Sequence, residues 1–178
     1  AAMKKNLNYF RQHLPQHHPL IAMVKAVSYG MGDVDVARML QHEGVKYLAV
    51  AFADEGITLR SKGITIPIVV LNADEDSFDV MIAHDLEPEI YSFHSLDAFR
   101  RAVLRANRTS YPIHIKLDTG MHRIGLYPNK ESLDEIIKIA ALPSIDIKGV
   151  FSHLACADFA DKSFANAQIE LFRAFTKE

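Results

Sequence analysis

Short apolar runs alternate along the chain with stretches whose apolar residues recur at helical spacing. The runs at 20–24, 47–51, 66–71, 88–91, 113–118 and 145–154 read as strands. An N-terminal helix over 3–14 carries Leu7, Phe10 and Leu14 on one stripe and stops at Pro15. Asp33 can cap a helix through Val36, Ala37 and Leu40 that Gly44 closes. Further helices are predicted over 54–62, 77–84, 95–106, 131–141 and 164–175. Six strands alternating with six helices after the first one are the pattern of parallel βαβ units. The unbroken run at 20–24 predicts a strand buried on both faces.

Alternate strand residues share a face, so Ile21, Met23 and Lys25 point one way and Ala22, Val24 and Ala26 the other. A lysine at the end of a buried strand stays wet, is paired, or is put to use. In the last case desolvation lowers its pKa and leaves a neutral amine suited to Schiff-base chemistry. The loop after Lys25 holds Tyr29, Gly30 and Gly32. On the fifth strand Ile113, Ile115 and Leu117 form one face, expected to pack on helices, and His114, Lys116 and Asp118 the other. On the sixth, Gly149, Phe151 and His153 share a face. A parallel sheet would bring Lys25, Asp118 and His153 to its carboxyl end, where such folds keep their active sites.

Both a doubly wound sheet and a (β/α)8 barrel fit this pattern. Gly30-Met31-Gly32 lacks the third glycine of a dinucleotide-binding turn, having Asp35 in its place. A barrel takes about 250 residues, so six units would be three quarters of one, with two more expected beyond Glu178.

Composition narrows the classes. The 178 residues suffice for one sizeable core, and a net charge of −2 gives no bulk electrostatic case for nucleic acid or an anionic membrane. Cys156 is the only cysteine, which points to a reducing, cytoplasmic setting. No apolar run approaches the ~20 residues a membrane helix needs. Both ends of the chain read as cut, since it opens on Ala1-Ala2 and stops inside a predicted helix. His13, His17 and His18 lie around Pro15 and read as a solvated turn. His153, Cys156 and Asp158 fall short of a complete metal ligand set, so no metal is expected, and Cys156 reads as a small buried residue. Asp118-Thr119-Gly120 also marks aspartic proteases, but such an enzyme needs a second carboxylate of the same kind and a mostly β fold.

Four segments together resemble the N-terminal barrel of the alanine racemases: Met23-Val24-Lys25-Ala26-Val27-Ser28-Tyr29-Gly30-Met31-Gly32, then Ala53-Asp54-Glu55-Gly56-Ile57-Thr58-Leu59-Arg60, then 116–125, then 152–158. They recur in family order, with Val27-Ser28 departing from the common Asn-Ala. The resemblance implies a (β/α)8 TIM-type barrel with about six of its eight units over 1–178 and without the family's C-terminal β domain. It implies pyridoxal 5'-phosphate as cofactor, carried by Lys25, which is also one of two catalytic bases. Tyr29 would contact the cofactor phosphate and His153 would lie against the pyridine ring. Arg123 would bond the phenolic oxygen and hold the substrate carboxylate. Lys116 would be a site of carbamylation, because a carbamate orients the Arg123 guanidinium where an ammonium repels it.

The implied reaction is racemisation of L-alanine to D-alanine for peptidoglycan synthesis, by a cytoplasmic homodimer. The second base would be a tyrosine of the partner subunit's β domain, so this stretch alone is expected to be inactive or nearly so. A similar single-domain barrel, the pyridoxal phosphate carrier proteins, is the alternative, and the 118–123 and 153–158 segments favour the racemase.

Overall fold

The computed structural model describes residues 2–15 and 18–177. Six strands lie side by side in chain order in one sheet: β1 (Ile21–Met23), β2 (Tyr47–Val50), β3 (Ile68–Val70), β4 (Glu87–Ile90), β5 (Tyr111–Lys116) and β6 (Ile145–Phe151). Every neighbouring pair is parallel. Helices alternate with the strands: α1 (Ala2–His13), α2 (Lys25–Gly30), α3 (Asp33–His42), α4 (Ala53–Ser61), α5 (Phe78–Ala83), α6 (Phe93–Arg105), α7 (Lys130–Ala140) and α8 (Ser163–Phe175). Strands that always step to the next neighbour in the same direction are the arrangement of a (β/α)8 barrel. A doubly wound sheet would reverse its strand order at a switch point.

The starts of several helices are written in their caps. The Ser92 hydroxyl accepts the Ser95 N–H at 3.0 Å ahead of α6, and the Asn129 side chain accepts the Ser132 N–H at 2.9 Å ahead of α7. The helices bury their apolar stripes on the outer face of the sheet. There Phe78 of α5, Phe99 of α6 and Tyr111 of β5 stack edge to face at 5.0 and 5.4 Å. Ile113, Ile115 and Leu117 are fully buried on this side, as their shared face predicts. Arg60 closes the amino-terminal end of the sheet. Its guanidinium donates to the carbonyls of Ile64, Ile66, His84 and Asp85 at 2.7–3.1 Å, tying α4 to the chain around β3 and α5.

Several expectations change. The first strand is not buried on both faces: Ile21 and Met23 are 53% and 37% exposed, because the inner face of β1 looks onto an open cavity. On α1, Leu7 is buried but Phe10 is exposed, so the predicted stripe is only partly covered. Cys156 is half-buried rather than buried. The segment after Lys25 is a tight turn, not an open loop: Ala26, Val27, Ser28 and Tyr29 all have left-handed backbone, with φ from 51 to 56°. Of the histidines near Pro15, His13 is exposed and bonds the Tyr9 carbonyl at 2.7 Å, and His18 is exposed, while His17 lies outside the described residues. No helix among the described residues is long and apolar enough to cross a membrane.

Candidate active site

The inner face of the sheet encloses a cavity of about 490 Å³ towards the carboxyl ends of the strands. Ile21, Met23, Val69 and Leu71 give it an apolar wall. Lys25, Lys116, Arg123 and His153 line it as well, so four of the five residues singled out in the sequence come together. The fifth, Tyr29, ends the left-handed turn and is 64% exposed, outside the cavity wall. Asp118 is likewise not part of the lining.

Each position has a local cause. Lys25 follows β1 on the same face as Ile21 and Met23, and all three line the cavity. The Val24 N–H beside it extends the ladder to the Ala49 carbonyl of β2 at 2.9 Å. On β5 the alternation turns His114 and Lys116 inward, both 5% exposed. Gly149 of β6 pairs with His114, and a Cβ there would lie 3.0 Å from His114 Nδ1, so a larger residue would have to displace the imidazole by a few tenths of an ångström.

Arg123 is delivered by a loop pinched at its base. Asp118 N–H donates to the Leu126 carbonyl at 2.9 Å, and Leu126 N–H to the Lys116 carbonyl at 2.8 Å. Inside the loop the Asp118 carboxylate accepts the Gly120 and His122 N–H groups at 2.9 and 3.0 Å. Burial alone would raise the Asp118 carboxyl, but these N–H donors and His122 outweigh it and hold it below its ordinary value. His153 lies just past the end of β6, its carbonyl accepting at 3.0 Å from the buried Gln168 of α8. Gln168 also bonds Thr119, whose hydroxyl is 2.7 Å from Ser152. One helix side chain therefore fixes both loops.

The electrostatics are lopsided. Burial, then the charges of Arg123, Lys116 and Lys25, push the His153 imidazole below its ordinary value, which favours the neutral ring. Burial also lowers Lys116, and Arg123 adds to the effect while Glu89 opposes it. The Lys116 ammonium sits 4.5 Å from the centre of the Phe151 ring.

Glu89, 1% exposed, is the acidic side chain of the wall, with one oxygen 3.6 Å from Lys116 Nζ and the other without a partner. Burial pushes it up to about 7 against the pull of Lys116 and Arg123. Behind the cavity wall, His114 Nε2 meets an oxygen of the buried Glu87 at 2.6 Å. Sequence reasoning missed Glu87 and Glu89. The only signal was their alternation around Pro88, on a strand predicted to begin at Pro88 itself.

Lys25 and Arg123 beside an apolar wall, with a carboxylate at Glu89 that is easily protonated, suit a ligand that joins an apolar ring to negative charge. The residues present therefore fit a phosphorylated aromatic aldehyde, with Lys25 as the amine that could bond it.

The family described as alanine racemase, N-terminal domain, matches residues 1–178. An alanine racemase of Clostridium tetani is 43% identical over 154 residues, 86% of this chain and 40% of the relative. One of Helicobacter pylori strain G27 is 35% identical over 100% of this chain and 47% of the relative. Among solved structures, alanine racemase of Clostridium difficile 630 in complex with cycloserine superposes with a TM-score of 0.92 at 35% identity, over 97% of this chain and 47% of that one. Alanine racemase of Bacillus anthracis with bound L-Ala-P gives 0.85 at 29% identity, over 97% and 45%. The chain spans about half the length of the curated relatives it matches. From the sequence match over its whole length and the shared fold, the chain belongs to the family of alanine racemase N-terminal domains.

Proposed function

We propose that residues 1–178 form the cofactor-binding barrel portion of a pyridoxal 5'-phosphate-dependent alanine racemase. The observation that carries this reading is the convergence of Lys25, Lys116, Arg123 and His153 on one cavity at the carboxyl end of a parallel sheet. When bound, pyridoxal phosphate supplies the electron sink that makes removal of an amino acid's α-proton feasible.

Lys25 holds the cofactor and its Nζ takes or returns the α-proton on one face of alanine. Arg123 offers its fork of donors to the cofactor's phenolic oxygen and to the substrate carboxylate. His153, favoured as a neutral imidazole, would lie against the pyridine ring without adding a positive charge. Tyr29 is exposed and outside the cavity wall; following the family, its hydroxyl would contact the phosphate.

Lys116 is proposed to be carbamylated. The ammonium first gives up one proton to solvent; the neutral nitrogen then bonds the carbon of carbon dioxide and releases a second, so that a cation beside Arg123 becomes an anion. Burial supports this by favouring the uncharged amine, the form that reacts. The rest of the proposal follows the family: a second base and further phosphate contacts from outside these residues, a homodimer, D-alanine for peptidoglycan as product, and a cytoplasmic setting consistent with the lone Cys156. The test is racemisation of alanine by the protein containing this chain, beside its Lys25→Ala variant. Turnover abolished by the substitution is expected, and turnover retained would contradict it.

A further inference from the structure

The turn that follows Lys25 is held in an unfavourable conformation. Four successive non-glycine residues, Ala26 to Tyr29, are left-handed, among them the β-branched Val27 at φ 54°. Such a backbone costs about 1–2 kcal/mol per residue for L-amino acids, so something must hold it. Besides the bonds inside α2, its ends are tied by Ser28 N–H to the Val24 carbonyl at 3.1 Å, Met31 N–H to Ser28 at 3.2 Å and Gly32 N–H to Val27 at 3.0 Å.

A clamp from outside the turn comes from Glu55, in the first turn of α4. One carboxylate oxygen accepts the Ala26 N–H at 2.6 Å; the other accepts the Ala51 N–H at 2.6 Å and the Phe52 N–H at 3.1 Å. Bonds to a charged acceptor are roughly twice as strong as neutral ones. The three N–H groups belong to two different βα junctions, so Glu55 staples the residue after Lys25 to the end of β2. α4 is itself seated tightly: a Cβ on Gly56 would come within 2.9 Å of Leu86.

We propose that Glu55 is a positioning residue for Lys25, its carboxylate holding the left-handed turn that sets the lysine at the cavity. The proposal rests on the reading of Lys25 as the cofactor-carrying lysine, but the clamp itself does not depend on it. Glu55 is not among the cavity-lining residues, so it acts only through the backbone. A glutamine can replace one accepting oxygen but presents an NH2 group where the other must accept, so Glu55→Gln should lie between wild type and Glu55→Ala.

The test combines two readouts on the protein containing this chain and on both variants. Hydrogen exchange by mass spectrometry should show the peptide containing Ala26 exchanging about tenfold faster or more in Glu55→Ala, less so in Glu55→Gln, with peptides from β5 and α6 unchanged. Borohydride trapping of added pyridoxal phosphate should show the preference for Lys25 over the other lysines falling in the same order. Unchanged exchange around Ala26, or an equal rise throughout the chain, overturns the clamp. Wild type that labels its lysines indiscriminately, yet shows the local exchange effect, overturns the cofactor reading and leaves the clamp standing. Local exchange with Lys25 preference intact in Glu55→Ala overturns the positioning role.

Discussion

Glu89 is 1% exposed on β4, and burial pushes its carboxyl up to about 7 although Lys116 lies 3.6 Å away. The folded protein therefore holds this proton more tightly than the unfolded chain, whose carboxyl titrates at 4.5. Stability must fall as pH rises across that window and level off above it, by about 3 kcal/mol for this group alone. Thermal unfolding of wild type and Glu89→Gln between pH 4 and pH 8 (about the span of the two values) should show the decline flattened in the variant. The same decline in both would contradict the assignment. Glu89 also bears on its neighbour: once protonated it no longer opposes an anion on Lys116. An intact mass taken under carbon dioxide should show one added carbon dioxide, lost in Lys116→Ala; a bare amine throughout would remove the carbamate. None of this was legible from the sequence, where a glutamate beside Pro88 looks like an ordinary strand residue.

Among the elements, β5 was the most legible. Its strict alternation separates Ile113, Ile115 and Leu117, at 0% exposure, from His114 and Lys116 in the cavity. β1 was less so, because an apolar run does not say whether the space it faces is filled. The left-handed turn was hidden altogether, since none of Ala26 to Tyr29 is a glycine and the contact that holds it comes from Glu55, 29 residues away. The loop carrying Arg123 depends on Gly125. At φ 137° its missing Cβ would lie 2.6 Å from the Asp118 nitrogen and 2.8 Å from the Leu117 carbonyl carbon, a backbone clash that no rotamer can relieve. Gly125→Ala should cost about 2 kcal/mol or more. It should also weaken pyridoxal phosphate binding by displacing Arg123. A thermal midpoint and affinity equal to wild type would show that the loop does not need this closure.

At the scale of the whole molecule, sequential parallel strands bring the groups of β1, β4, β5 and β6 to one cavity, though they lie far apart in the chain. The order of the strands was legible from their alternation with helices, but barrel and open sheet were separated only by the family resemblance and then by the observed topology. The chain spans about half the length of its curated relatives, and racemisation requires a base on each face of the substrate. The purified 178-residue chain is therefore expected to show no alanine racemisation above the Lys25→Ala background, and sustained turnover would mean that both bases lie within it.

The central claim is that the cavity binds pyridoxal phosphate through Lys25, and covalent trapping tests it most directly. The chain is incubated with pyridoxal phosphate, reduced with borohydride, digested and mapped by mass, beside Lys25→Ala. The account predicts a reduced pyridoxyl adduct concentrated on the peptide bearing Lys25 and absent from that position in the variant, with no compensating site. Adducts spread over exposed lysines at equal levels in both proteins would contradict it.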